Sequence, residues 1–229
     1  MLNHELDVPD EDPELMQYVT LTLGAFKTLE ARTESGQEID PLVPLARALE
    51  PKRPAKVRIA AAASLAKQAA RTNGSLENAG AVKALGIAAA EGEPEVRQIA
   101  VYALGFFGGA PALEQLRERV QTDEDRFVRY NAAVALARHG DLAAEATLRE
   151  MLSTSDLNRV ISLTGTTEKQ NKIESIELEA LSALRASVVG GKPKLAQSLG
   201  AQITDLTKSG LVSVRSQALE LLQSLQGST

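Results

Sequence analysis

Side chains able to carry acid–base or metal chemistry are few in this sequence. Its histidines are His4 and His139, it has no cysteine, and no His/Asp/Glu spacing suggests a metal site. No catalytic residue and no metal ligand is therefore assigned. No G-x-G-x-x-G or Walker sequence occurs; Gly190-Gly191-Lys192 runs into Pro193 and reads as an interhelical turn, so no cofactor is expected. His139, just before Gly140, reads as the last residue of a helix, where a protonated imidazole is favourable. Asn73-Gly74-Ser75 matches a glycosylation acceptor but reads as an ordinary turn.

What does recur is an arginine. Arg58, Arg97, Arg129 and Arg215 each follow a valine that opens an apolar pattern. Such a ladder has two chemistries: an anion-binding stripe, or a set of braces using carboxylates such as Asp125 or Glu95 and exposed helix-end carbonyls. Recurrence favours bracing, because a binding site usually breaks a repeat instead of following it. Tyr102 and Tyr130, two of the three tyrosines, are the other candidates. They read either as exposed interaction anchors or as rings lodged between adjacent helices with the hydroxyl at the rim.

The elements that must position these residues follow from the repeat itself. With Val96 as position zero, the pattern is apolar at 0, often Arg at +1, small at +4 and apolar at +8. Val57-Arg58 follows it with Ala61 and Leu65, Val128-Arg129 with Ala132, Ala135 and Leu136, and Val214-Arg215 with Ala218 and Leu222. Ile176 begins a weaker copy with Ala180, Ala183 and Leu184, but Glu177 stands where arginine would be. DPELMQYVTLTLGAF (12–26) aligns without a gap on EPEVRQIAVYALGFF (93–107), placing Leu15 on Val96 and Leu23-Gly24 on Leu104-Gly105. Gly108 and Gly140 read as glycine stops. The anchors 15, 57, 96, 128, 176 and 214 are 42, 39, 32, 48 and 38 residues apart, a range that fits a two-helix unit with variable loops.

Between anchors lies a second helical pattern at 41–50, 79–90, 110–120, 142–152 and 193–208, with apolar residues three and four apart. Asp40-Pro41 supplies an N-cap and a proline at the first helical position, and Asp141 can cap the helix from Leu142. Small residues at +4 and +7 let the second helix lie close to its neighbours, while position zero and +8 fill the space between layers. No pair buries its apolar face alone, so stacking makes the core continuous. The fold expected is all-α: an α-solenoid of five antiparallel helix pairs preceded by one unpaired second-type helix over 13 to about 32. Residues 13–226 form one solenoid domain after an acidic tail, 1–12. The insertion 154–172 within the fourth unit is expected to add one helical turn at LNRVISL and a polar loop at TGTTEKQNK. The first layer would expose an apolar face, and upstream sequence, a partner or self-association is expected to cap it.

Composition narrows the classes. Apolar residues make up 44% of the 229-residue chain but aromatics only 3%, with no Trp, which suits close-packed helices better than a β-sandwich. Six of the 30 acidic residues fall in the first 14 positions, and the remaining 24 meet 25 Lys and Arg. That balance leaves no broad basic footprint, so nucleic acid is not an expected partner. No apolar run reaches the roughly 18 residues of a membrane span, and the acidic start lacks the positive opening of a secretory signal. A cytoplasmic location is the expectation.

The pattern V-R-x-x-A-x-x-A-L-G, carried by Val96–Gly105, Val128–Ala137, Val57–Ala66 and more loosely Val214–Gln223, resembles the HEAT-like repeats of the phycobilisome-lyase type. The resemblance covers residues 13 to about 226. It implies that second helices line a concave face, with positions +2, +3, +6 and +10 toward it: Gln98, Ile99, Tyr102 and Phe106, then Tyr130, Asn131, Val134 and Arg138. HEAT-like di-iron hydroxylases need several His-Glu pairs where this chain has only His4-Glu5, and HEAT-like DNA glycosylases need a basic groove. The expected function is a non-catalytic protein–protein interaction scaffold contacting its partner through Gln98, Tyr102, Phe106, Tyr130, Asn131 and Arg138. The alternative is a phycobilin lyase-type enzyme or enzyme subunit acting on a chromophore–protein bond.

Overall fold

The computed structural model describes residues 12–25, 31–32, 38–72, 76 and 78–227. They fold as an all-α solenoid, with helices α1 (Pro13–Ala25), α2 (Leu42–Arg47), α3 (Ala55–Ala70), α4 (Ala79–Glu91), α5 (Pro94–Leu104), α6 (Ala110–Thr122) and α7 (Arg126–Arg138) in order. A 3₁₀ turn, Leu142–Ala144, then leads into α8 (Glu145–Met151), α9 (Thr154–Val160), α10 (Thr166–Val189), α11 (Lys194–Ser198), α12 (Gly200–Leu206) and α13 (Val212–Gln226). The described residues group into two compact units: those up to Arg119 together with Asp123–Val128, and Val120–Thr122 together with Arg129 onward.

In the first unit the second-type helices stack in sequence order, α1 on α3 and α3 on α5, while α2 meets α4 and each first helix packs on its own second helix. Positions 0, +4 and +8 supply the core as the repeat requires: Val57, Ala61 and Leu65 in α3, Val96, Ala100 and Leu104 in α5, all buried. Gly24 marks the closest approach. A Cβ there would meet Ser64 Oγ of α3 within clashing distance, and the resulting proximity lets Ser64 Oγ donate to Thr20 O at 3.0 Å and Gln68 Nε2 to Leu23 O at 3.1 Å. Helix starts follow their caps: Asp40 Oδ1 accepts from Leu42 N at 2.8 Å, and Asn78 Oδ1 from Ala81 N at 2.8 Å.

The second unit repeats the scheme around α10 and α13, with Ile176, Ala180, Ala183 and Leu184, then Val214 and Ala218, in its core. Asp141 Oδ1 accepts from Ala143 N at 3.0 Å, opening the 3₁₀ turn. Gly140, at φ 68°, ends α7, and Gly191, at φ 74°, turns the chain after α10. The first-type helix expected over 193–208 is broken at Leu199 into α11 and α12.

Four local expectations are corrected. Helix α1, described over Pro13–Ala25, does not run to 32, because Ala31–Arg32 are extended and paired antiparallel with Glu38–Ile39. Leu15 occupies position zero yet is 45% exposed, and Met16 is buried instead. In α13 the core residue is Leu221, one place before Leu222, which is half-buried. Helix α5 stops at Leu104; Gly108 N donates to Leu76 O at 3.4 Å, and the left-handed glycine is Gly109, at φ 90°.

The insertion is more helical than expected. Its first part forms α9, capped by Ser153 Oγ accepting from Asp156 N at 3.3 Å. The TGTTEKQNK stretch, expected as a loop, is helical from Thr166, so α10 runs 24 residues. Most of its first turns are polar and exposed, which removed the apolar periodicity that identifies helices in sequence. The acidic residues before Asp12, His4 and Asn73-Gly74-Ser75 lie outside the described residues.

Candidate interaction site on the second helices

Helix α5 begins at Pro94 and is held by Arg97. The guanidinium donates through Nε to Asp123 Oδ2 at 3.1 Å, through Nη2 to Asp123 Oδ1 at 3.0 Å, and through Nη1 to Gly92 O at 3.1 Å. Its pKa is raised, first by the hydrogen bond to Asp123 and against the lowering effect of burial, with Asp123, Glu124 and Asp125 adding attraction. Two of the other ladder arginines show the same reach. Arg58 is buried and contacts Glu93 Oε2 through Nη1 at 3.3 Å, while Arg215 donates from Nη1 to Ser209 O at 2.5 Å. Each spans to the loop before a second helix, its own or the next. Arg129 is half-buried.

Gln98 belongs to the same network. Its Nε2 donates to Asp125 Oδ1 at 3.1 Å, an oxygen that also caps α7 by accepting from Val128 N at 3.0 Å. One helical turn further along, Tyr102 is 42% exposed and packs edge-on against the half-buried Phe106, with ring centroids 5.0 Å apart and planes at 72°. These two rings form an aromatic pair on the solvent side of α5.

The remaining candidates belong to the second unit. Tyr130 is a core residue, 3% exposed, and its hydroxyl donates to Glu150 Oε1 of the following first helix at 2.7 Å. Of the two readings open for the tyrosines, the ring lodged among helices with a polar tip describes Tyr130, and the exposed ring describes Tyr102. Asn131 is half-buried and Val134 buried. Arg138, half-buried at the end of α7, lines a shallow polar cleft of about 470 Å³ with Glu174, Glu179, Ser175 and Ser182 of α10 and Gln217 of α13.

Glu177 was visible in the sequence only as a break in the ladder. It is fully buried; its Oε1 accepts from Thr154 Oγ1 at 2.5 Å, and its Oε2 has no partner. Burial pushes its pKa up, the Thr154 hydrogen bond opposes this, and Glu174 adds repulsion. Among the described residues no group of three or more His, Cys, Asp or Glu is placed to hold a metal ion, and no helix is long and apolar enough to cross a membrane.

Comparison with known proteins agrees with this architecture. Residues 39–137 match the HEAT-repeat family model, and residues 128–154 match the PBS lyase HEAT-like repeat. No curated protein matches the chain. Among solved structures, an engineered protein superposes with a TM-score of 0.59 at 21% identity, covering 99% of this chain and 98% of its own. A second engineered protein gives 0.53 at 18% identity, over 99% and 97%. The complex of CpcE and CpcF of phycocyanin lyase from Nostoc sp. PCC7120 gives 0.56 at 21% identity, over 88% of this chain and 71% of that one. At such identities these structures speak to fold alone. The repeat frame, the stacked helix pairs and the two matching models together identify the chain as a HEAT-repeat protein of the α-solenoid class.

Proposed function

We propose that the protein is a non-catalytic interaction scaffold whose partner docks on the solvent side of α5. The observation that carries this reading is the Tyr102–Phe106 pair, an exposed tyrosine packed edge-on against a half-buried phenylalanine, at positions the repeat does not dictate. Core requirements explain Val96, Ala100 and Leu104, and the brace explains Arg97 and Gln98; neither explains an exposed tyrosine. Asn131 and Arg138 are proposed as the polar contacts of the second unit, Arg138 through the cleft it lines. Tyr130 is left out of the contact set because its ring is buried.

Quantitative affinity capture with the wild-type chain and with Tyr102→Ala/Phe106→Ala tests this. Loss of the proteins retained by wild type, with unchanged helicity, supports the surface; equal retention by both contradicts it.

The second reading is a phycobilin lyase-type role on a chromophore–protein bond. It is favoured by the match of residues 128–154 to the PBS lyase HEAT-like repeat. An absorbance titration with a free bilin separates the two. A scaffold leaves the bilin spectrum unchanged, and a lyase-type protein shifts it in a saturable way.

A further inference from the structure

The contacts of α1 with α3 show which positions of a second helix look forward to the next and which look back. Thr20, Leu23 and Gly24, at +5, +8 and +9 of α1, meet Ser64 and Gln68, at +7 and +11 of α3. At helical spacing, +1 shares the forward side with +5 and +8, and position zero shares the rear side with +7 and +11.

Each side is left open once. Position zero is buried at Val57, Val96, Val128, Ile176 and Val214, yet Leu15 of α1 is exposed, and Tyr18, one turn along, is 70% exposed. Position +5 is buried at Thr20, Ala62, Val101, Ala133 and Leu181, yet Leu219 of α13 is 46% exposed. The rear of α1 and the front of α13 thus present apolar side chains at positions that every other second helix buries.

Charge gives these two faces opposite signs. Arg97, at +1, uses Nη1 for Gly92 O in its own loop, and Nε and Nη2 for Asp123 in the loop before the next second helix. Arg58 reaches forward in the same way to Glu93, three places before Val96. Arg215 keeps only the bond to its own loop, Nη1 to Ser209 O, and has no carboxylate partner among the described residues. Three places before Leu15 stands Asp12, which is exposed. It ends Asp10-Glu11-Asp12, the same three residues at the same spacing as Asp123-Glu124-Asp125 before Val128. Asp12 Oδ1 caps α1 by accepting from Glu14 N at 2.9 Å, as Asp125 Oδ1 caps α7. One face therefore offers a forked cation beside Leu219, and the other a carboxylate beside Leu15. Pairing α1 with α1, or α13 with α13, would bring like charges to the interface.

We propose that the protein stacks on itself head to tail, the front of α13 in one copy seating on the rear of α1 in the next. Leu219 packs toward Leu15 and Tyr18, and the Arg215 fork takes the Asp12 carboxylate, so the repeat continues from copy to copy. Such a contact is heterologous: a pair still has one open face of each kind, and further copies add to it. One helix face per copy makes a small interface, so association in the micromolar range or weaker is expected. The contact does not use the aromatic pair of α5.

Sedimentation velocity of the full chain over a concentration series tests this. Wild type is expected to gain mass with concentration, beyond two chains. Arg215→Glu and Leu219→Glu alter the α13 face, and Leu15→Glu and Tyr18→Glu alter the α1 face. Each is expected to weaken association about ten-fold or more, with helicity unchanged. A mixture of Arg215→Glu with Tyr18→Glu retains one intact face of each kind and should form a complex that stops at two chains. A wild type of single-chain mass throughout, the result if a different protein covers these faces, overturns the proposal. So does association that survives all four substitutions, or a mixture that restores none, the mark of like faces pairing.

Discussion

Arg97 and Asp123 meet in a two-point ion pair, Nε to Oδ2 at 3.1 Å and Nη2 to Oδ1 at 3.0 Å, with both side chains largely withdrawn from water. The pair joins the start of α5 to the loop that leads into α7, and a third bond from the same guanidinium closes the loop behind α5 at Gly92. Of the two chemistries open to a recurring arginine, this geometry is the brace: the guanidinium's donors are spent on the protein itself.

Breaking that pair from one side strands a buried charge. Arg97→Ala leaves Asp123 without its main partner, and the expected loss is about 3–5 kcal/mol. Arg215→Ala removes a half-buried bond to one carbonyl, and the expected loss is about 1 kcal/mol. Urea denaturation of the two variants gives the ordering; equal losses would contradict the difference in burial.

The two tyrosines should behave oppositely. Tyr130→Ala empties a core position and is expected to cost about 3–5 kcal/mol, and Tyr130→Phe about 1 kcal/mol through the lost bond to Glu150. Tyr102→Ala, at an exposed position, should change stability by no more than about 0.5 kcal/mol. Thermal melts of the three variants check this, and a large loss for Tyr102→Ala would place that ring in the core.

Glu177 ties stability to pH. Its folded-state pKa is raised by burial, so the folded chain resists ionisation more than the unfolded one. Stability is therefore highest at low pH as far as this group is concerned. This contribution falls as pH rises through the ordinary glutamate value of about 4.3 and stays at its lowest level above the raised folded value. Glu177→Gln should remove this decline and raise the midpoint at pH 7.5. A difference between wild type and Glu177→Gln that does not change between pH 4 and pH 7.5 would contradict the assignment.

At Gly24 the limit is space. Gly24→Ala sets a Cβ against Ser64 and is expected to cost about 1–3 kcal/mol. Ser64→Gly in the same chain removes both Oγ and Cβ, the two nearest atoms, and should recover part of the loss. Calorimetry of the single and double variants measures the coupling, and simple additivity would show that the two helices do not meet there.

Much of this molecule was legible in the residue pattern, and the failures have a common cause. Position zero, +4 and +8 define which face of a second helix is apolar, and in α3, α5, α7 and α10 that face is the core. The pattern does not say what lies opposite. Leu15 fits the frame and is exposed, while Tyr130 sits at a position assigned to the groove and is buried against its own unit. The start of helix α10 has no mark in the apolar pattern, because Thr166–Lys172 has little apolar periodicity, though its composition is compatible with a solvated helix. Glu177 shows in the pattern only as an irregularity; its burial, and its hydrogen bond from Thr154, 23 residues away in sequence, belong to the tertiary structure.

The most direct test of the scaffold reading is site-specific photo-crosslinking in the native cell. The crosslinker benzoylphenylalanine replaces Tyr102 on α5 in one chain and Ile87, exposed on α4, in another. A discrete higher-mass adduct from position 102 with none from position 87 is the predicted result. No adduct from 102, or the same adducts from both positions, would contradict a partner docked on the aromatic pair.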